Sequence, residues 1–216
     1  MDSSDTSRST LGGRLQSLLH INPWSWIAAF YVIQVLGSLV VMQMMGILFA
    51  EIALAVVFLI LGASIAIGFR WSDPSDRLGP WKWWVPVILY ASFIFSLSNN
   101  AYPEAVPRFD TKIFHPIEYM TLGIFLTMAW HKVSGHRGNP FVILCVLVSG
   151  VLFAVSDEYH QAFIPGRSPR ATDVLIDSLG LALGCILFLL GDRMIRRSKD
   201  ELQSPRATGP DGRRSS

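Results

Sequence analysis

From Trp24 to Phe69 the chain carries a single charged side chain, Glu51. A run of that kind belongs in hydrocarbon. About 20 residues of helix cross the roughly 30 Å core of a bilayer, and in lipid every backbone amide must find its partner within its own helix or barrel. The stretch is too long for one pass, so it predicts a hairpin of two helices. Its turn is placed near Gln43, Gly46 and Glu51, the polar and flexible break in the run. The rest of the chain repeats the pattern, in keeping with 51% apolar and only 16% charged residues overall. Six spanning helices are predicted: Trp24 to Met42, Ile52 to Phe69, Trp83 to Leu97, Ile113 to Trp130, Phe141 to Ser156 and Val174 to Leu190. The expected fold class is all-α, a polytopic membrane helical bundle.

The placement of basic residues predicts its orientation. If both termini are cytoplasmic, fourteen of the 18 Lys and Arg fall on the cytoplasmic side. Only Arg108, Lys112, Arg167 and Arg170 fall on the other, the asymmetry of the positive-inside rule. The seven tryptophans lie at or near helix ends, as an aromatic belt does. The organisation expected is a cytoplasmic segment at 1–23, a transmembrane hairpin with its connection at 24–82, a membrane domain at 83–191, and a basic tail at 192–216. That tail, rich in Arg, Gly, Pro and Ser, reads as disordered against anionic headgroups. The N-terminus is polar as far as His20 and has no short apolar core with a cleavage site, so the first apolar block reads as part of the mature protein.

Several function classes are excluded or disfavoured. Cys145 and Cys185 both sit inside apolar blocks and read as small core residues, with no disulfide framework or zinc spacing. No nucleophile elbow, phosphate loop or nucleotide fingerprint occurs, and no nucleic-acid partner is expected. A transporter is disfavoured, because charges are few at mid-membrane depth and no inverted repeat is visible.

Two stretches concentrate the remaining polar chemistry. In the first, Pro116 is tolerable only in the first turn of a helix, so the fourth helix starts near Ile113 with Asp110 or Thr111 as its cap. His115, Glu118, Tyr119 and Leu122 then share one face. The second stretch closes the fifth helix with Asp157, Glu158, His160 and Gln161. It breaks at Pro165-Gly166, places Arg167 next, and opens the sixth helix with Asp173 and Asp177 four residues apart. Gly180 and Gly184 continue that face and allow another backbone to approach closely. In the predicted orientation both stretches emerge at the non-cytoplasmic side.

The pattern His115-x-x-Glu118-Tyr119-x-x-Leu122-Gly123, followed by Asp157-Glu158-x-x-Gln161-x-Phe163-x-Pro165-Gly166-Arg167-Ser168, then Asp173, Asp177, Gly180 and Gly184, resembles the VanZ-like membrane proteins. The resemblance covers roughly Trp83 to Leu190 and leaves out the first two helices. It implies a bacterial cytoplasmic (inner) membrane location and an association with glycopeptide resistance, teicoplanin in particular. Lys112, His115, Glu158, Gln161, Arg167 and Asp173 match residue for residue. Thr111 departs from the pattern where an Asp is usual, and Asp177 where an Asn is usual.

Each residue also has a plain structural reading. His115 serves equally as an interhelical hydrogen-bonding group, Glu158 with Arg167 as a pair fixing the meeting of two helices, and Asp173 as a residue favoured by a helix N-terminus. Asp177 is harder to read that way, because an ionisable group one turn deeper is expensive in lipid and faces the bundle interior with a partner. Seven acids gather near this face, more than helix packing needs. The functional reading takes His115, Glu158 and Asp173 as candidate acid–base residues. It takes Lys112, Glu118, Tyr119, Gln161, Arg167 and Asp177 as candidate ligand-binding residues, Lys112 and Arg167 steadying an anionic group. Three alternatives stand beside one another: an enzyme acting on a lipid-linked or cell-envelope substrate such as a cell-wall precursor, a non-catalytic envelope factor that binds a glycopeptide, lipid or partner protein and alters access to it, and a metal site drawn from His115, Glu118, Asp157, Glu158 and His160. The cofactor, if any, is left undetermined.

Overall fold

The computed structural model describes residues 22–72, 75–99, 114–135, 139–165, 167 and 169–203. Among these the chain is all-α. The helices are α1 (Pro23–Met45), α2 (Phe49–Trp71), the single-turn α3 (Ser75–Leu78), α4 (Trp84–Ser98), α5 (His115–Val133), α6 (Asn139–Gln161) and α7 (Ala171–Gln203), with a 3-10 turn at Gly79–Trp83 before α4. Four of them, α1, α2, α6 and Ala171–Ser198 of α7, are long and apolar enough to cross a membrane.

The hairpin of α1 and α2 forms where the break in the apolar run predicts it. Asn22 accepts from the Trp24 amide and Pro23 occupies the first turn, a cap and a preset φ that start a helix. Gly46 ends α1 in the left-handed conformation at φ 68°, which costs glycine little. Residue Tyr31 then ties the hairpin to the rest of the molecule. Its ring covers Gly62 of α2, where any Cβ would collide with it. The same ring stacks on Phe125 of α5 with centroids 5.5 Å apart, and its hydroxyl donates to the Pro86 carbonyl of α4 at 2.6 Å.

Helix α5 is the axis of the bundle. It packs against α4, α6 and α7, and Tyr119, Leu122, Phe125, Thr127 and Ala129 on different faces are all buried. Thr121 and Thr127, polar side chains in its middle turns, therefore meet protein and not lipid. By contrast α1, α2, α6 and α7 each turn an apolar stripe outward, including Ile33 and Leu36, Leu54 and Ile60, Leu144 and Leu152, and Leu175 and Leu179. Such stripes suit contact with acyl chains.

Close backbone packing joins α5 to α7. A Cβ on Gly180 would strike the Pro116 carbonyl, one on Gly184 the Met120 carbonyl, and one on Gly123 the Leu181 carbonyl. The Gly180 and Gly184 face thus brings another helix close, as the spacing predicts.

The tryptophans divide between two uses. Trp26, Trp71 and Trp81 are exposed as a belt requires, but Trp24 and Trp83 are buried and stack on each other at 4.7 Å, with the Lys132 ammonium over the Trp83 ring. Two boundaries also differ from the sequence reading. Helix α5 opens at His115, with Phe114 as its N-cap residue and no side-chain cap, in place of a start near Ile113. Asp110, Thr111 and Ile113 lie outside the described residues. Helix α7 continues to Gln203, where a disordered tail is expected from residue 192. The segment from Asp192 contains no Gly or Pro before Gln203, and Asp192 accepts from Arg196 Nε one turn on at 2.7 Å, so nothing local ends the helix.

Candidate functional site

The start of α5, the ends of α1, α4 and α6, and the start of α7 meet at one end of the bundle. The Asp177–Gly180–Gly184 face of α7 packs so tightly on α5 that Asp177, one turn before Gly180, is delivered beside His115. The imidazole Nδ1 lies 3.7 Å from Asp177 Oδ1, ion-pair range but beyond a direct hydrogen bond. Asp177 is 2% exposed, so its carboxylate faces protein, as a charge at this depth must.

A second cluster adjoins the first. Asp157, near the end of α6 and 1% exposed, accepts through Oδ2 from Ser98 Oγ at 2.9 Å and from Gln161 Nε2 at 3.1 Å. The Tyr119 hydroxyl donates to the same oxygen at 3.5 Å. Among the described residues the Oδ1 atoms of Asp157 and Asp177 are buried without a hydrogen-bond donor. Buried acceptors are normally satisfied, and Asp177 Oδ1 is the oxygen that faces the His115 ring.

Beside these clusters lies a cavity of about 240 Å³. His115, Glu118, Arg167 and Ser98 form its polar rim, and the remaining wall is largely apolar, from α1, α2 and α4. Glu118 is half-buried and within electrostatic reach of His115, Asp157, Asp177 and Arg167. The rim therefore sets a histidine backed by a carboxylate next to a second carboxylate and a guanidinium. Such an array can hold a polar headgroup and exchange a proton with it.

The candidate residues from the sequence separate into layers. His115, Glu118 and Arg167 line the cavity. Asp177, Tyr119 and Gln161 stand behind them, buried. Glu158 is buried and accepts from the Arg170 amide, which holds the chain after the Pro165 break against α6. Asp173 is half-buried in the first turn of α7, with the Thr172 hydroxyl 3.3 Å from its Oδ1. Lys112 lies outside the described residues. His160 turns toward α4, with Nε2 3.3 Å from Asn99 Oδ1 and its ring against Phe95. No cluster of three or more His, Cys, Asp or Glu side chains suited to a metal occurs among the described residues.

Two participants escape a motif reading. Ser98 is a hydroxyl at the end of an apolar helix, and its signal is only its place in Ser96-Leu-Ser98-Asn99-Asn100. Gln34 lies outside the motif-bearing stretches, yet it reaches Thr121 Oγ1 at 3.3 Å and lines the inner end of the cavity.

The fold and site thus define a helical membrane protein with a polar cluster at one end of its bundle. Residues 80–192, a little over half of the chain, match the family model described as VanZ/LLP1. The chain belongs to that family. No curated protein and no solved structure matches it.

Proposed function

We propose that the cavity is a ligand pocket at the non-cytoplasmic face of the bacterial cytoplasmic membrane, and that it binds a lipid-linked component of the cell envelope. The observation that carries this reading is His115: it lines the cavity while Asp177, buried behind it, lies 3.7 Å from its ring. A titratable side chain oriented by a buried partner and presented to a cavity is the usual mark of a binding or catalytic site. The basic-residue asymmetry supports placing this end outside, where envelope precursors and glycopeptides are met. Altered access to such a precursor is then the route to changed glycopeptide susceptibility.

The His115–Asp177 pair also favours a second reading, in which the protein acts on the bound component by acid–base chemistry. His115 would transfer the proton, Asp177 would hold the ring, and Arg167 would steady an anionic group.

Comparison of lipid and cell-wall precursor profiles tests both, in cells carrying the wild-type chain, His115→Gln or no copy. A precursor change that appears with the wild type and disappears with His115→Gln supports the proposal, and an altered covalent structure in that precursor supports the enzyme. Identical profiles in all three, at equal membrane levels of protein, would overturn both.

A further inference from the structure

The apolar part of the cavity is built by a segment that the family match does not include. Helices α1 and α2 precede residue 80, yet Gly37, Val41 and Met45 on one stripe of α1, with Ile52 and Val56 on α2, form much of its wall. The stripe runs from Met45 at the polar rim inward to Gln34, whose amide is engaged by Thr121. Met45 and Gln34 are eleven helical steps apart, roughly 16 Å. The adjacent stripe of α1, Leu36, Val40 and Met44, is 59%, 57% and 67% exposed and suits the bilayer. The groove therefore lies at the depth of the acyl chains, with its polar rim at the end where the helix turns.

Gly37 is exposed and gives the wall no side chain; a Cβ added there would meet nothing within 4 Å, so this glycine is not needed for helix contact. The apolar stretch of wall between Gln34 and the rim suits an apolar guest. Met42 and Met45, which also line it, are unbranched side chains that adapt to an irregular apolar shape.

We infer that the α1–α2 hairpin is the recognition element for a hydrocarbon chain: the ligand's tail lies along Gly37, Val41, Ile52 and Val56, and its headgroup meets His115, Glu118 and Arg167. This rests on the reading of the cavity as a ligand pocket and assigns the class of ligand, a lipid with a hydrocarbon tail and a polar head. The tail has two natural sources, the fatty acyl chain of a glycerolipid and the polyprenyl chain of a lipid-linked precursor.

The test uses the full chain in bilayer nanodiscs with two photoactivatable probes. One is a phosphatidylglycerol with a diazirine on its acyl chain, and the other is a polyprenyl phosphate with a diazirine on its isoprenoid chain. Crosslinked peptides are read by mass spectrometry. One probe is expected to label Gly37–Met45 and Ile52–Val56 at the groove residues, and which one does so identifies the source. Filling the groove with Gly37→Leu, or independently Val41→Phe, should cut this labelling about tenfold, the loss of a few buried methylenes. Leu36→Phe, which adds bulk on the bilayer side, should leave it unchanged. Labelling confined to Leu36, Val40 and Leu54, or equal in wild type and both blocking variants, would overturn the inference. Groove labelling that Gly37→Leu abolishes, in a protein whose His115→Gln variant leaves precursor profiles unchanged, would uphold the tail assignment and refute the envelope function proposed above.

Discussion

His115 and Asp177 stand 62 positions apart in the chain, and they meet with Nδ1 3.7 Å from Oδ1 because Gly180 and Gly184 let α7 lie directly on the α5 backbone. The pair is thus a product of helix packing. Neither residue can hold its partner unless that packing is intact.

Energetic coupling between the two should therefore be measurable. In a double-mutant cycle on the purified protein, His115→Gln and Asp177→Asn should deviate from additivity by about 0.5–3 kcal/mol, the range for contacting residues. Unfolding in mixed micelles provides the readout. Additivity to within about 0.3 kcal/mol would mean that the two side chains act independently.

Gly184→Leu should be among the most damaging single substitutions outside the polar cluster. Its side chain enters the space of the Met120 carbonyl, and backbone cannot rotate away as a side chain can. A cost of about 3 kcal/mol or more is expected, the upper part of the overpacking range. Gly37→Leu, which adds the same side chain in open space, should be nearly neutral in the same unfolding assay. Equal costs at the two glycines would refute the packing account.

Ser98→Ala removes a buried donor to Asp157 Oδ2 and leaves that oxygen with Gln161 and the longer Tyr119 contact. The expected destabilisation is about 1–3 kcal/mol. Ser156→Ala provides the contrast, because the Ser156 hydroxyl is exposed and donates to the Phe153 carbonyl on its own helix. A loss at Ser98 no larger than at Ser156 would show that the Asp157 cluster does not depend on it.

Orientation is checked by cysteine labelling in intact cells. Leu48 is 68% exposed between α1 and α2, and Leu48→Cys should react with a membrane-impermeant maleimide. Ser72→Cys, exposed just past the other end of α2, should react only after permeabilisation. The reverse pattern would place the polar rim in the cytoplasm and remove the envelope reading.

The apolar blocks by themselves dictated the helices, because hydrocarbon leaves the backbone no alternative, and Gly46 marked the turn of the first hairpin. The motif stretches likewise announced His115, Glu118, Glu158, Gln161, Arg167 and Asp173 as a group, with Asp177 one turn deeper, since ionisable residues are sparse in such a chain and each needs a reason to be there; of that group the cavity is lined by His115, Glu118 and Arg167. Ends set by weaker forces were less legible. Helix α7 outruns its apolar block to Gln203 because charged residues without Gly or Pro continue a helix as readily as apolar ones. Only the tertiary structure decided which candidates face the cavity and which stand behind it. Tyr119 shares a face of α5 with His115 and Glu118, but a face is about 100° wide, and the packing of α5 against three neighbours assigns part of it to protein; Gln161 and Asp177 belong to helices that contribute no wall to the cavity. The contribution of α1 and α2 was beyond any motif: an apolar wall is made by shape, and Gly37, Val41 and Ile52 look in sequence like every other residue that faces lipid.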